Sequence, residues 1–292
     1  MRMFLFILPA DKKLSLRVIC VKKRDMRYSV GLLNSCRALV DLLFPRHCII
    51  CGENLLLNEK HLCLGCLAEM PLTYSWRFIE NPGFKAFYGR VYIERFFSLI
   101  YYTQSYKSLL HSIKYYDNIK LGLWMGEMLG EKISGALAEE NQQIDYVVPV
   151  PLHWRKQWKR GYNQSEIIAK GIVKGITKGI FKGVSENLSG ESLSGQNRNS
   201  MQRKPPKILT NILQRAHFTQ TQTHKDRIDR WKSVEGAFRL NHKAIKKYNW
   251  DGKHILLVDD VLTTGATLDA CANLLIKRCC CRVSIATLAY VE

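Results

Sequence analysis

Apolar positions along the chain fall into two kinds of run. From Ser29 to Leu43 they recur as Leu32-Leu33, Cys36, Leu39-Val40 and Leu43, the spacing of one helix face, and Phe44-Pro45 ends that helix. A second helix is predicted over roughly Leu121–Leu137, with Leu121, Leu123-Trp124, Met128-Leu129 and Ile133 on one side. Shorter helices are predicted over Ser105–Tyr116, Gln164–Val173 and Thr267–Lys277, and a polar one over Lys225–Lys232. The other kind of run is short, dense and rich in β-formers: Ser98–Tyr102, Tyr146–Val150, His254–Val258, Val283–Tyr290 and the brief Ile208-Leu209. Strands alternating with helices predict an α/β fold with a parallel sheet flanked by helices. Asn81-Pro82-Gly83 reads as a boundary. Residues 185–200 hold five Ser, two Gly and three Asn and read as a solvated loop within a polar insertion near 185–206. No internal period is present, which excludes solenoid and coiled-coil folds.

Composition adds a class and a partner chemistry. The 292 residues are 47% apolar and 10% aromatic, ample for a core, and the length suits two domains. The net charge of +19 is concentrated: residues 1–30 carry +6 and residues 151–207 carry +9. Such clusters attract phosphates, on a nucleotide, a sugar diphosphate or a nucleic acid. The first apolar run, Phe4–Pro9, is too short to span a bilayer and lacks the flanks of a signal peptide. Residues 1–28 are expected to be a poorly packed leader, with Met26 as an alternative start.

Cysteine spacing narrows the class further. Cys48-Ile-Ile-Cys51 and Cys63-Leu-Gly-Cys66 are two CxxC pairs separated by eleven residues. Each pair turns two thiolates toward one point, and four soft thiolates close a tetrahedral shell around Zn2+, so the site is expected to be structural. His47 and His61 flank the pairs as further donors, but four cysteines already suffice. Zinc thiolates fit a reducing, cytoplasmic setting. The expected organisation is a leader over 1–28, a helix and four-cysteine zinc-ribbon module over 29–80, and an α/β domain over 81–292.

The sharpest pattern is His254-Ile-Leu-Leu-Val-Asp-Asp-Val-Leu-Thr-Thr-Gly-Ala-Thr267. An apolar strand ends in Asp259 and Asp260, at the edge where open α/β sheets bind ligands. Thr263, Thr264, Gly265, Ala266 and Thr267 then lead into a helix. Gly265 permits a tight loop, the threonines add hydroxyl donors, and the helix N-terminus favours an anion. Together they make a cradle for one phosphate. The carboxylates suit the hydroxyls of the sugar that carries it, or a metal chelated there; ribose 5-phosphate satisfies both halves. Neither GxGxxG nor GxxxxGK[ST] occurs. Upstream, Arg155, Lys156, Lys159 and Arg160 follow strand Tyr146–Val150, which is expected to lie beside the phosphate-motif strand. These cations suit a diphosphate, and the interleaved Trp154, Trp158 and Tyr162 suit either packing or stacking on single-stranded bases.

The phosphate motif resembles the phosphoribosyl pyrophosphate signature of type I phosphoribosyltransferases. With the zinc module ahead of it, the chain resembles the ComF family of competence-associated phosphoribosyltransferase-like proteins over roughly residues 42–292. Leu109–Tyr115 with Lys114, Val148–His153 followed by Arg160-Gly-Tyr-Asn-Gln164, and Thr219–Thr223 with Arg230 and Gly236-Ala-Phe238 resemble further blocks of that family. The resemblance implies a phosphoribosyltransferase-like sheet and a phosphoribosyl pyrophosphate ligand bound with Mg2+. It puts Asp259 and Asp260 in catalytic and ribose-holding roles, Thr263–Thr267 on the phosphate, and Lys114, Arg155 and Arg160 on the diphosphate side. Two functions follow from it and stay open at this point. One is ribosyl-phosphate transfer to an unnamed nitrogen nucleophile. The other is a non-catalytic role in handling incoming single-stranded DNA beside competence proteins.

Overall fold

One parallel sheet organises the chain from Phe96 to Tyr290. The computed structural model describes residues 45–116, 118–188, 203–215 and 237–292. The strands of the sheet are β1 (Phe96–Tyr101), β2 (Tyr146–Pro149), β3 (Lys207–Ile208), β6 (His254–Leu262) and β7 (Arg282–Tyr290). They lie side by side in the order β1-β7-β6-β2-β3. A separate antiparallel pair joins β4 (Leu213–Arg215) to β5 (Phe238–Leu240). The expected leader 1–28, the helix over Ser29–Leu43, the Lys225–Lys232 stretch, the Thr219–Thr223 run, Arg230 and most of the 185–206 insertion lie outside the described residues. The chain parts into two units between Ala68 and Glu69.

In the first unit the backbone turns tightly around the cysteines. The Gly52 N–H donates to the Cys48 carbonyl at 2.9 Å, and Gly52 takes φ 79° to allow it. Helix α1 (Leu64–Ala68) starts inside the second CxxC pair, and Glu59 accepts from the N–H groups of Leu56 and Leu64, both at 2.7 Å. Among the described residues of this unit, Cys48, Leu55 and Leu62 are the buried apolar ones.

In the second unit, a 3-10 turn (Ser75–Arg77) and α2 (Pro82–Lys85) precede β1. The Asn81-Pro82-Gly83 signal is the start of α2 and lies inside this unit. The buried Asn81 carboxamide donates to the carbonyls of Ser75, Phe78 and Phe96, which ties the turn to β1. Helices α3 (Lys107–Tyr115) and α4 (Ile119–Glu139) carry the chain to β2. Helices α5 (Trp154–Arg160) and α6 (Gln164–Leu188) follow, so the basic run lies on a helix. Helix α7 (His242–Ile245) follows β5, and α8 (Ala266–Cys279) links β6 to β7. Gly126 and Gly130 of α4 meet Gly171 and Gly175 of α6 backbone to backbone; a Cβ at Gly130 would strike the Ile172 carbonyl. This contact carries α6 to Leu188, well beyond the predicted Val173, although glycines weaken an isolated helix.

Alternation along β6 serves both faces. Ile255 and Leu257 pack in one core with Leu268, Cys271, Ala272 and Leu275 of α8, while the alternate positions Leu256 and Val258 are also fully buried. β6 pairs with β2 on one side and β7 on the other, as expected for the strand Tyr146–Val150. The chain leaves β2 toward β3 but leaves β6 toward β7. These opposite exits open a crevice at the carboxyl ends of β2 and β6, the switch point where such sheets bind ligands.

Candidate functional site

The four sulfurs of Cys48, Cys51, Cys63 and Cys66 lie within 4.8 Å of one another, and those of Cys51 and Cys63 are 3.7 Å apart. A tetrahedral ion with Zn–S bonds near 2.3 Å requires sulfurs about 3.8 Å apart, so the cluster fits one zinc ion. Backbone N–H groups of Ile50, Cys51 and Cys63 outweigh the burial of Cys48 and bring its thiol down to about 6. Burial and the other three thiols push Cys66 up. Four thiols this close cannot all ionise without a cation, and zinc supplies it. His47 turns its ring to the Gly52 carbonyl, 3.1 Å away, and lies outside the cluster.

In the crevice of the second unit, β2 ends at Pro149 while β6 continues to Leu262. Asp259 and Asp260 sit on this projecting edge. Lys114, at the end of α3, places its ammonium 2.9 Å from an Asp260 oxygen. Burial opposes the Lys114 charge, but Asp260 and Asp259 outweigh it and hold the group above its ordinary value. Ser165, in the first turn of α6, donates its hydroxyl to Asp259 Oδ1 at 2.9 Å, and the Asp260 N–H donates to the same oxygen at 2.9 Å. Burial, then the Asp260 charge, lifts the Asp259 carboxyl to about 7. Arg160 reaches the Gln164 carboxamide oxygen at 3.2 Å and lies over the Tyr115 ring, 5.1 Å from its centroid. Gln164 is 2% exposed, and its Nε2 has no hydrogen-bond partner among the described residues. Asn163 donates to the Val150 carbonyl at 3.0 Å, which locks the start of α6 onto the end of β2.

The loop from Thr263 to Thr267 lies directly after this edge. Gly265 caps α8 with φ 78°, a conformation that strains any residue bearing a Cβ, and Asp269 N–H bonds its carbonyl at 2.8 Å. The first N–H groups of α8 therefore end at this loop without partners from the helix itself. Among the described residues no helix is long and apolar enough to cross a membrane.

Comparison with known proteins agrees with this geometry. Residues 217–292 match the phosphoribosyl transferase domain, and residues 39–76 match the double zinc ribbon domain. Competence protein F of Haemophilus influenzae is 26% identical over 85% of each chain. DNA utilization protein YhgH of Escherichia coli K12 is 23% identical over 85% of this chain and 91% of its own. Its counterpart in Salmonella typhimurium is 25% identical over 63% and 66%. The chain resembles the ComF family, with the zinc-ribbon match ahead of the phosphoribosyl transferase match. Against the double zinc ribbon match, the chain shows one four-cysteine cluster among the described residues, and no cysteine occurs between Cys66 and Cys271.

The fold brings Lys114 to Asp260 from the end of α3, and Arg160 of α5 lies over the ring of the neighbouring Tyr115. Arg155 lies over the Trp154 ring, 5.2 Å from its centroid, and Lys156 and Lys159 belong to the same helix. Trp154 and Trp158 are exposed, whereas Tyr162 is half-buried and donates its hydroxyl to the Ile113 carbonyl. Two contributors, Ser165 and Arg215, had no part in the sequence reading. Ser165 directly follows the Arg160–Gln164 block, so adjacency alone could have raised it, and Tyr115 closes the Leu109–Tyr115 block already noted. Arg215, on β4, lies over the Phe238 ring; burial lowers its guanidinium while Cys271 and Asp259 pull it back. No local signal marks it.

Proposed function

We propose that the crevice of this ComF-like protein binds phosphoribosyl pyrophosphate, or a related ribose 5-phosphate ligand, together with Mg2+. The observation that carries the reading is the acidic pair, held by Lys114 and Ser165, one turn ahead of the Gly265-capped helix. In this reading Thr263, Thr264, Gly265, Ala266 and Thr267 hold the 5-phosphate through backbone and hydroxyl donors. Asp259 and Asp260 hold the ribose hydroxyls and offer the hard oxygen ligands that Mg2+ prefers. Lys114, Arg155 and Arg160 face the diphosphate, and the orphaned Gln164 amide supplies a further donor. Bound Mg2+ would neutralise charge on the diphosphate. Transfer would form a bond from a nitrogen nucleophile to the anomeric carbon and release diphosphate with the electrons of the broken C–O bond. Asp259 and Asp260, beside the ribose, would stabilise the positive charge that develops there.

A second reading has its own support. Trp154 is 65% and Trp158 88% exposed on a cation-bearing helix, and relatives carry the names competence protein and DNA utilization protein. Exposed aromatics among cations suit stacked single-stranded bases, so the protein would act in cytoplasmic DNA handling with little turnover. Calorimetry with phosphoribosyl pyrophosphate and Mg2+, repeated with single-stranded DNA, separates the two. Saturable binding that Gly265→Val abolishes supports the ligand reading. Binding of DNA alone, unchanged by Gly265→Val, supports the second.

A further inference from the structure

We infer that Arg90 is a positioning residue for the phosphate loop, holding its backbone from behind so that its amides face the crevice. The inference rests on the reading of Thr263–Thr267 as a phosphate cradle. Arg90 follows Gly89, which takes φ 69°, in the segment between α2 and β1. Its Nη1 donates to the Ala86 carbonyl at 3.2 Å and to the Thr264 carbonyl at 3.4 Å, across 174 positions of sequence. Phe87, 1% exposed, lies under the same loop: its ring would meet a Cβ at Gly265 at 3.5 Å. Phe87 is itself fixed against Phe96 of β1, with ring centroids 6.3 Å apart. The outer side of this segment, with Glu80, Phe84 and Tyr88, lines a cleft of about 640 Å³, so Arg90 stands between that cleft and the loop.

The consequence follows from peptide planarity. In a trans peptide the C=O and the following N–H point in opposite directions. A guanidinium that holds the Thr264 carbonyl outward therefore aims the Gly265 N–H inward. Gly265 is the position where that plane turns most easily, because glycine tolerates both signs of φ. Arg90 also faces Asp269 in the first turn of α8; burial raises that carboxyl and Arg90 draws it back. One side chain thus touches the loop backbone and senses the turn that follows it. A neutral side chain would leave the loop plane free to turn, and a lysine would restore a single donor without the planar fork.

The test compares wild type, Arg90→Met and Arg90→Lys in the full chain. Affinity for phosphoribosyl pyrophosphate with Mg2+ is measured by calorimetry, and hydrogen exchange of the Thr264–Thr267 amides is measured without ligand. Arg90→Met is expected to weaken binding about tenfold, or about 1.4 kcal/mol. It is expected to speed loop exchange by about the same factor while strand β6 keeps its protection. Arg90→Lys is expected to recover part of both losses. Unchanged loop exchange in Arg90→Met overturns the inference. So does a general loss of protection across β6 and β7 with no recovery in Arg90→Lys, since that marks a role in packing alone. If wild type fails to bind the ligand, the reading of the cradle falls, and the exchange data still decide whether Arg90 holds the loop.

Discussion

The cysteine cluster and the acidic crevice both crowd groups that acquire like charge, and they resolve the conflict in opposite ways. The cluster is built from thiols alone, drawn from nineteen consecutive residues, Cys48 to Cys66. Its counter-charge has to be imported as an ion. The crevice brings Asp259 and Asp260 together with Lys114, whose ammonium lies 2.9 Å from Asp260, from 146 positions away. Its counter-charge is part of the chain. A site of the first kind folds with its ion; a site of the second kind is organised before any ligand arrives. That difference suits a structural metal in one place and exchange of a charged ligand in the other.

Removing the ion is the largest perturbation. Chelation, or Cys63→Ser, is expected to abolish zinc content and the hydrogen-exchange protection of residues 45–68, because structural zinc contributes about 10–16 kcal/mol of apparent binding energy. Phosphoribosyl pyrophosphate binding is expected to persist. Protection that survives a metal-free preparation would break the comparison.

A third group, at the opposite end of β6 from the acidic pair, answers burial in another way, by staying uncharged itself. His254 is fully buried, with Nδ1 3.1 Å from the Gln143 carbonyl and Nε2 2.7 Å from the Ser284 hydroxyl. Burial, then Arg282, lowers it to about 4 from an ordinary 6.5. The unfolded chain binds the proton first as pH falls. The stabilising contribution is therefore complete above 6.5 and is lost progressively down to pH 4, on the order of 3 kcal/mol in all. Denaturant titrations at pH 7 and pH 4.5, with His254→Gln as reference, check this. Equal pH dependence in both proteins would remove His254 from the account.

The built-in counter-charge itself is tested next. Lys114→Met is expected to weaken phosphoribosyl pyrophosphate binding about thirtyfold, roughly 2 kcal/mol. Asp260→Asn is expected to weaken it as well. The double variant should lose less than the sum, because each single change strands a charge that the second removes. Strict additivity in calorimetry would show that the pair is not a unit. Smallest is Arg160→Lys, which keeps the charge but loses the stack on Tyr115 and the fork toward Gln164. A loss of about threefold in affinity with an unchanged melting temperature is expected.

How much of this was legible depended on the distance over which each feature is made. The CxxC pairs and the strand-to-loop-to-helix run at His254–Thr267 are short-range patterns, and the sulfur cluster, the strand and the helix stand where the patterns put them. Strand β6 extends to Leu262 rather than Val258, because pairing with β7 continues past the apolar run to Tyr290. The β4–β5 pair was missed: its strands are three residues each and lie more than twenty residues apart, leaving no hairpin signature. The basic run forms α5, where no helix was predicted; it is started by the His153 ring accepting from the Arg155 N–H at 3.2 Å, a cap outside the usual set.

The sequence by itself determined the chemistry available: four thiolates at metal spacing, a carboxylate pair, a glycine-bearing loop at a helix start and a cluster of cations. Spacing within a few residues dictates such features, because local backbone geometry carries side chains to a common point. Only the tertiary structure decided which groups meet. Lys114 reaches Asp260 because α3 ends at the crevice, and Ser165 reaches Asp259 because Asn163 pins α6 to the end of β2. Arg90 reaches Thr264 because Phe87 and Asn81 hold its segment against β1. These meetings are set by the order of strands in a parallel sheet and by the packing of helices on it. No local propensity encodes that order, so the electrostatic balance of the crevice could be read only once the fold was known.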